Sequence, residues 1–376
     1  MSPPAAESGT AARPGPSPSP SPSPSPSPSP SPSPSPSPSP SPSPSPSPSP
    51  SPSLGRAWAK VAIKSTLGAL VVIAAARHAS RTWGDLRARG ESVRVAAGPF
   101  AAAVGLYLAG LVPFGVFYHR VMRAGPSPIG PYAAIRAYLV SHLGKYVPGK
   151  ALVVVMRVGL STPYGARAAT SAFASLYETL VMMAAGGLIA AVAFGPGSTL
   201  SIAVPMSAGR SVAVPMPLVG LGLGGAFLVV VAPGVFPRLA GLARLPFPGV
   251  GPDALPATSA RLLAEGLALA VVGWTLLGLS QVAVFAGLYP GGLPVAAWPA
   301  TVASVALATV AGFVVPVAPG GLGVREWVLW TALGATIDPD YAVVAALVLR
   351  LAWVVGEVVA AAVLFAIRPL PRPVAP

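Results

Sequence analysis

The 376-residue sequence has no cysteine and is poor in charged residues. The lack of cysteine excludes disulfides, thiolate nucleophiles and cysteine metal sites. Only 9% of the residues are charged and 53% are hydrophobic, so a soluble domain would lack the polar surface that it needs. The three histidines lie far apart in the chain, and we expect neither a metal nor a cofactor. The composition therefore predicts an all-α integral membrane protein.

The chain has a net charge of +14. In a soluble protein this would suggest nucleic acid, but here the cations lie mostly between apolar stretches. In that position they set the membrane topology and contact anionic headgroups. We therefore expect membrane lipids, and no nucleic acid, as partners.

Residues 1–53 form a separate region, which from Pro16 to Ser53 is an almost pure Ser-Pro repeat. With a proline at every second position and nothing apolar to bury, it is predicted to be an extended, disordered tail. A spacer or neutral tail is favoured over a docking motif, and the features of a signal peptide do not occur in order. The membrane domain is predicted at 54–368, followed by a short cytoplasmic tail at 369–376.

Windows of about 20 apolar residues, the length that crosses a bilayer as a helix, predict six full transmembrane helices. They lie near residues 58–77, 95–118, 166–194, 212–235, 262–288 and 340–367. Two further apolar segments, at about 131–160 and 296–334, are broken by proline and glycine, which cannot continue a helix. Each half of the chain, 58–195 and 212–367, thus consists of two spans, a broken segment and a further span.

The two broken segments decide the symmetry of the predicted fold. If each is a re-entrant hairpin, the halves form an inverted repeat, and such matched breaks mark the binding site in transporters of this kind. If each crosses the membrane, the repeat is parallel. The positive-inside rule favours re-entrant hairpins with both termini cytoplasmic. Residues 77–94, which contain five arginines, disagree with that topology.

Ionisable residues lie inside the apolar segments, where they are costly and usually functional. Cations and glycine amides beside the start of a helix are typical of an anion site. We therefore predict that a lipid phosphate binds to Lys145, Lys150, Arg325 and Arg350. Counter-charges or headgroup contacts are predicted at Glu178, Glu326 and Glu357. The helix-break residues are Pro148, Gly149, Pro319, Gly320, Gly321 and Gly323.

Several of these features also have a structural interpretation. Arg350 and Glu357, seven residues apart on one helix face, would pin neighbouring helices, and Glu178 would be a satisfied buried carboxylate. Arg157 either reaches the cytoplasmic interface or belongs to the site. The glycine-rich stretches at 184–187 and 220–225 favour close helix packing over a phosphate-binding loop, because we expect no strand before them.

At these charged residues the sequence resembles the flippase-like transmembrane region of the lysylphosphatidylglycerol synthase family. The resemblance rests on Gly144-Lys-Tyr-Val-Pro-Gly-Lys150, Glu178, Pro319-Gly-Gly-Leu-Gly-Val-Arg-Glu326, Arg350 and Glu357, and it covers residues 58–367. Some members have Gly-Glu or Gly-Asp shortly after the first Pro-Gly, whereas Leu152 and Val153 stand here. The acidic headgroup contact of those members is therefore not carried over to this position.

The resemblance implies an inner-membrane protein that moves a charged lipid, such as an aminoacylated phospholipid or a polyprenyl-linked sugar, between leaflets. It also implies a stand-alone member without the catalytic synthase domain, since the sequence ends nine residues after the last predicted span. Two alternatives stay open. One is a non-catalytic membrane partner of a lipid synthase or glycosyltransferase. The other is an intramembrane lipid-phosphate transferase, which is disfavoured because the sequence shows no catalytic constellation.

Overall fold

The computed structural model describes residues 94–146, 151–195, 198–205, 211–242, 255–289, 291–315, 321, 323–334 and 337–367, with the single positions 77, 81, 84 and 88. The predicted tails at 1–53 and 369–376 lie outside the described residues. So does the first predicted span, near 58–77, except for its last position.

Ten α-helices and one β-hairpin make up most of the described residues. The helices are α1 Ala97–Arg123, α2 Pro131–Ser141, α3 Ala151–Ser161, α4 Ala168–Phe194, α5 Met216–Val231, α6 Phe236–Leu242, α7 Ala260–Leu288, α8 Trp298–Val314, α9 Val324–Leu333 and α10 Pro339–Ala366. A 3-10 helix, His142–Tyr146, follows α2 and is called the linking 3-10 helix below. Another, Val295–Ala297, leads directly into α8.

Within the part of the chain that the structure describes, five helices are long and apolar enough to cross a membrane, which fits a multi-pass membrane protein. They are α1, α4, α7, α10, and α8 together with its leading 3-10 turn. These helices have 20 to 29 residues, which at about 1.5 Å per residue matches a hydrocarbon core of about 30 Å. The predictions near 95–118, 166–194, 262–288 and 340–367 are confirmed as helices of spanning length.

The span predicted at 212–235 is only partly helical. Residues Ser201–Pro205 (β1) and Ser211–Pro215 (β2) pair as an antiparallel hairpin, with Ser201 opposite Pro215. Alternating β-branched residues favour a strand. The second strand ends at Pro215, immediately before α5 begins. The remaining helix has 16 residues, or about 24 Å, which is less than the thickness of the hydrocarbon core. A full helical span at 212–235 is therefore not confirmed.

The hairpin also corrects the expectation that no strand precedes the second glycine-rich stretch. That stretch nevertheless lies within helix α5 and not in a strand-to-helix turn. It packs against α4, where a Cβ added to Gly187 would lie 2.5 Å from the backbone nitrogen of Gly224. The predicted packing role of both stretches is confirmed, because only glycine lets these backbones approach so closely.

The two broken segments are built differently. In the first, α2 and α3 pack against each other. Each has 11 residues, which is too short for either helix to cross a bilayer alone. In the second, α8 and its leading turn span 20 residues, whereas α9 has only 10. The two breaks therefore occur where the sequence predicts them, but their halves differ in length. The inverted repeat stays a prediction.

The helix α10, which brings several charges to the site, starts at a well-defined cap. Pro339 occupies its first turn, where the missing N–H of proline costs nothing. The carboxylate of Asp338 accepts a hydrogen bond of 2.8 Å from the backbone N–H of Asp340.

A central helix contact is made by Trp274 of α7, whose indole N–H donates to the carbonyl of Met182 in α4.

Candidate functional site

The two broken segments meet at one pocket. Its enclosed volume is only about 20 Å³, roughly room for one water molecule, and it is otherwise open to solvent. Its walls come from the linking 3-10 helix, from α9 and from α10. The lining residues are Lys145, Tyr146, Arg325, Glu326, Leu329, Ala346, Leu349, Arg350 and Trp353. Three of the four predicted phosphate-binding residues thus lie around one space, although they are up to 205 positions apart in the chain.

Lys145 forms the first ion pair of the pocket. Its ammonium donates to Oε1 of Glu357, and to the hydroxyl of Tyr107 at 3.2 Å. The hydroxyl of Tyr107 donates to the same carboxylate oxygen. The side chain of Lys145 is 21% exposed, whereas that of Glu357 is fully buried behind it. Glu357 therefore holds the lysine at the pocket wall without lining the pocket itself.

Arg350 forms the second ion pair, with Glu326. One guanidinium nitrogen of Arg350 donates to Oε1 of Glu326. The other oxygen, Oε2, accepts a hydrogen bond of 2.6 Å from the backbone N–H of Gly323, just before α9. The start of α9 was predicted to offer glycine amides to an anion, but the amide of Gly323 is occupied by the helix's own carboxylate. Glu326 thus makes the reciprocal hydrogen bond of a capping box.

Arg325 is the pocket cation without a carboxylate partner among the described residues. Its guanidinium lies over the ring of Trp353, 4.7 Å from the ring centroid. The same indole stacks on Tyr107 at 4.5 Å and donates its N–H to the hydroxyl of Ser280 at 3.2 Å. These contacts with α1 and α7 fix the orientation of the indole ring. The guanidinium of Arg325 therefore packs against a rigid aromatic surface.

Two glycines make room for the stem of Arg325. A Cβ added to Gly312 of α8 would lie 2.6 Å from Cγ of Arg325. Gly321, at φ +74°, has a backbone conformation that favours glycine, and a Cβ there would meet the same side chain at 3.0 Å. The glycines around the second break thus have two roles, to turn the chain and to admit the arginine.

The charges of the pocket do not balance. Three cations line it, Lys145, Arg325 and Arg350, and their carboxylate partners are Glu326, which also lines it, and Glu357, which lies behind its wall. Among the described residues, one positive charge, assigned by the contacts to Arg325, is left without a counter-charge. A planar guanidinium can bind an oxyanion through two parallel hydrogen bonds. The arrangement is therefore suited to binding an anion.

Glu178 lies elsewhere, in a closed cluster of its own. Its Oε2 accepts from Nη1 of Arg157 at 3.0 Å, and both side chains are only 1% exposed. The hydroxyl of Tyr138 donates to its Oε1 at 3.1 Å. The guanidinium of Arg157 also donates to Ser141 and lies over the ring of Tyr138. The side chain of Arg157 is thus buried within the protein, and Glu178 pairs with it and not with one of the predicted phosphate-binding residues.

Five predicted residues cannot be placed. Lys150, Pro148, Gly149, Pro319 and Gly320 lie outside the described residues.

Three aromatic residues of the site were missed from the sequence: Tyr146 and Trp353, which line the pocket, and Tyr107, which bonds to Glu357 behind its wall. An aromatic residue in an apolar span looks like a core residue, and nothing local separates it from its neighbours. A signal existed for Trp353, which lies three residues after Arg350 and four before Glu357. That spacing places all three on one helix face. For Tyr107, 250 positions from Glu357, the sequence offered no such signal.

Comparison of the chain with protein-family models and with curated proteins found no match.

Proposed function

We propose that the chain is a multi-pass protein of the inner membrane that binds the phosphate of a lipid in this pocket and moves the lipid between leaflets. In this proposal it is a flippase-like relative of the transmembrane region of lysylphosphatidylglycerol synthases. Both termini would be cytoplasmic. The observation that supports the proposal best is the guanidinium of Arg325, which lines the pocket without a carboxylate partner among the described residues.

A partly buried cation without a counter-charge is costly, and such groups usually serve a site. Trp353 lowers that cost, because its ring attracts a cation without neutralising it. The phosphate of a lipid would supply the missing charge, and the two paired cations beside it would add attraction. The lipid tails would then meet the apolar surface expected of the surrounding spans.

The different lengths of the broken segments bear on how the lipid would move. Short helices that end inside a bilayer need protein or water around their free backbone groups. The pocket supplies such surroundings for the start of α9, where Glu326 accepts from Gly323. We therefore propose that the pocket lies at membrane depth, with the first broken segment re-entrant. The inverted relation of the two halves is part of the same proposal.

Reconstitution into liposomes tests the function. The purified protein should accelerate the movement of a fluorescent anionic phospholipid between leaflets, measured by dithionite quenching. Arg325→Gln removes the unpaired charge and should slow this movement about tenfold to a hundredfold, the worth of a charge-assisted hydrogen bond. Because Arg325 has no carboxylate partner among the described residues, this variant leaves no carboxylate there orphaned and should keep its stability.

The matched control is Arg261→Gln, which removes an equal charge from a side chain that is 89% exposed. It should leave lipid movement unchanged. Conversion of the lipid into a new product would favour the transferase instead. Absence of movement for every lipid tested, with stable co-purification of a synthase or glycosyltransferase, would favour the partner subunit.

A further inference from the structure

The carboxylate of Glu357 is only half satisfied. Both of its hydrogen bonds, from Tyr107 and from Lys145, go to Oε1. Oε2 is buried and has no hydrogen-bond partner among the described residues. A buried carboxylate oxygen without a donor is costly, and it is also free to accept a proton. A purely structural ion pair gives no reason for this unused oxygen.

Lys145 connects Glu357 to the pocket. Its side chain is partly exposed and lines the pocket, while its ammonium contacts the buried carboxylate. An anion beside Arg325 therefore has a second cation within the same space, provided that Lys145 turns away from Glu357. Glu357 would then be left with only neutral hydroxyl donors beside it, those of Tyr107 and Tyr146. A buried carboxylate in that position is neutralised by a proton, because the isolated charge is too costly to bury.

We propose that the pocket binds a doubly charged phosphomonoester headgroup together with one proton, which Oε2 of Glu357 accepts. The inference rests on the anion pocket proposed above. One O–H bond forms on Glu357, and one bond to hydrogen breaks in the hydronium ion or buffer acid that supplies the proton and whose conjugate base stays in solution; within the protein only ion-pair contacts break. With Glu357 neutral, two positive charges are left uncompensated in the pocket. They match a phosphomonoester, which has nearly two negative charges near neutral pH.

A phosphodiester has a single negative charge, and Arg325 alone balances it. Such a headgroup leaves the Lys145–Glu357 pair intact and takes up no proton. The number of charges on the lipid therefore decides whether a proton is bound with it. Uptake of a proton with a dianion would also couple lipid movement to a proton gradient.

Other ionisable groups surround Glu357 and must be separated from it in a test. On the elements packed against α10 these are Tyr107, Tyr138, His142, Lys145, Tyr146 and Arg325, with Arg350 on α10 itself. From α7, the hydroxyl of Ser280 bonds to Trp353. Of these groups, His142 is the alternative acceptor that titrates nearest to neutral pH in solution.

Calorimetric titration of the full chain in phosphatidylcholine nanodiscs tests the inference. The probes are a short-chain phosphatidic acid, a phosphomonoester, and a short-chain phosphatidylglycerol, a phosphodiester. Each titration is repeated in buffers with different heats of ionisation, and the change of the observed heat with the buffer gives the number of protons bound. Protons that the lipid itself takes up or releases are subtracted. We expect uptake of close to one proton with the phosphomonoester and none with the phosphodiester.

Two variants should change the ratio of the two affinities in opposite directions. Glu357→Gln frees Lys145 permanently, so preference for the phosphomonoester should rise about tenfold and proton uptake should vanish. Lys145→Gln removes the second cation, so the same preference should fall while the phosphodiester still binds to Arg325. Glu265→Gln, a surface carboxylate of the exposed pair with Arg261, should behave as the unmodified protein.

Proton uptake that persists in Glu357→Gln, or disappears in His142→Asn, would assign the proton to another group and overturn the inference. Binding of the phosphodiester alone would overturn the inference but leave the proposed function standing. Binding of neither probe by the unmodified protein would refute both.

Discussion

The buried pair of Arg157 and Glu178 yields a prediction about stability whose size follows from burial. Arg157→Met keeps the volume and the apolar stem of the side chain but removes its charge. Both partners are 1% exposed, so water cannot replace the lost contact. Glu178 would keep its bonds from Tyr138 and Thr179 but lose its counter-charge.

Breaking a buried ion pair from one side costs about 3–5 kcal/mol, because the remaining charge is buried alone. The same substitution at Arg261 should change the free energy of unfolding by less than about 0.5 kcal/mol. Its partner Glu265 lies one turn away on α7, where the two side chains are 89% and 39% exposed. Both arginines pair with a glutamate, but Arg157 is buried and also contacts Ser141 and Tyr138, so the expected effects differ mainly through burial.

Equilibrium unfolding in mixed micelles of a mild detergent and SDS, followed by tryptophan fluorescence, measures both effects. The double variant Arg157→Met with Glu178→Gln should be more stable than Arg157→Met alone, because no charge is left unpaired. Equal losses at Arg157 and Arg261 would refute the reasoning. So would a double variant whose loss equals the sum of the two single ones.

Two further predictions concern glycines. Gly224→Ala should destabilise the α4–α5 contact by about 1–3 kcal/mol, because the added Cβ would lie 2.7 Å from the backbone of α4. The control in the same unfolding assay is Gly225→Ala, whose added Cβ would have no atom within 4 Å. Gly312→Ala should displace Arg325 and slow lipid movement in liposomes by several-fold, whereas Gly225→Ala should not; an unchanged rate would contradict the role assigned to Gly312.

Much of the architecture follows from local sequence. Long apolar runs predict helices of spanning length because every backbone group in a bilayer must be bonded within the helix. Proline and glycine mark the breaks for the same local reason. The full span predicted at 212–235 was not confirmed, because Val212 and Val214 pair with a strand outside the window. Strand pairing is a contact between separate segments, and a measure of mean hydropathy cannot detect it.

The candidate site was predictable in part. The cost of a charge in an apolar segment singled out Lys145, Arg325, Glu326, Arg350 and Glu357, and the structure gathers these around one pocket. The same rule also selected Glu178, which lies in a different cluster. The free-energy cost of burying a charge indicates that the charge needs a partner, but it does not indicate which residue that partner is.

Hydropathy and composition are enough to predict a helical membrane protein with two interrupted segments and several charges among apolar residues. These are local properties, set by hydropathy and backbone chemistry. The pairing of the charges follows from the fold alone: Lys145 with Glu357, Arg350 with Glu326, Arg157 with Glu178. Pairing depends on distances between helices far apart in the chain, and it leaves Arg325, which lies over Trp353, as the pocket cation without a carboxylate partner among the described residues.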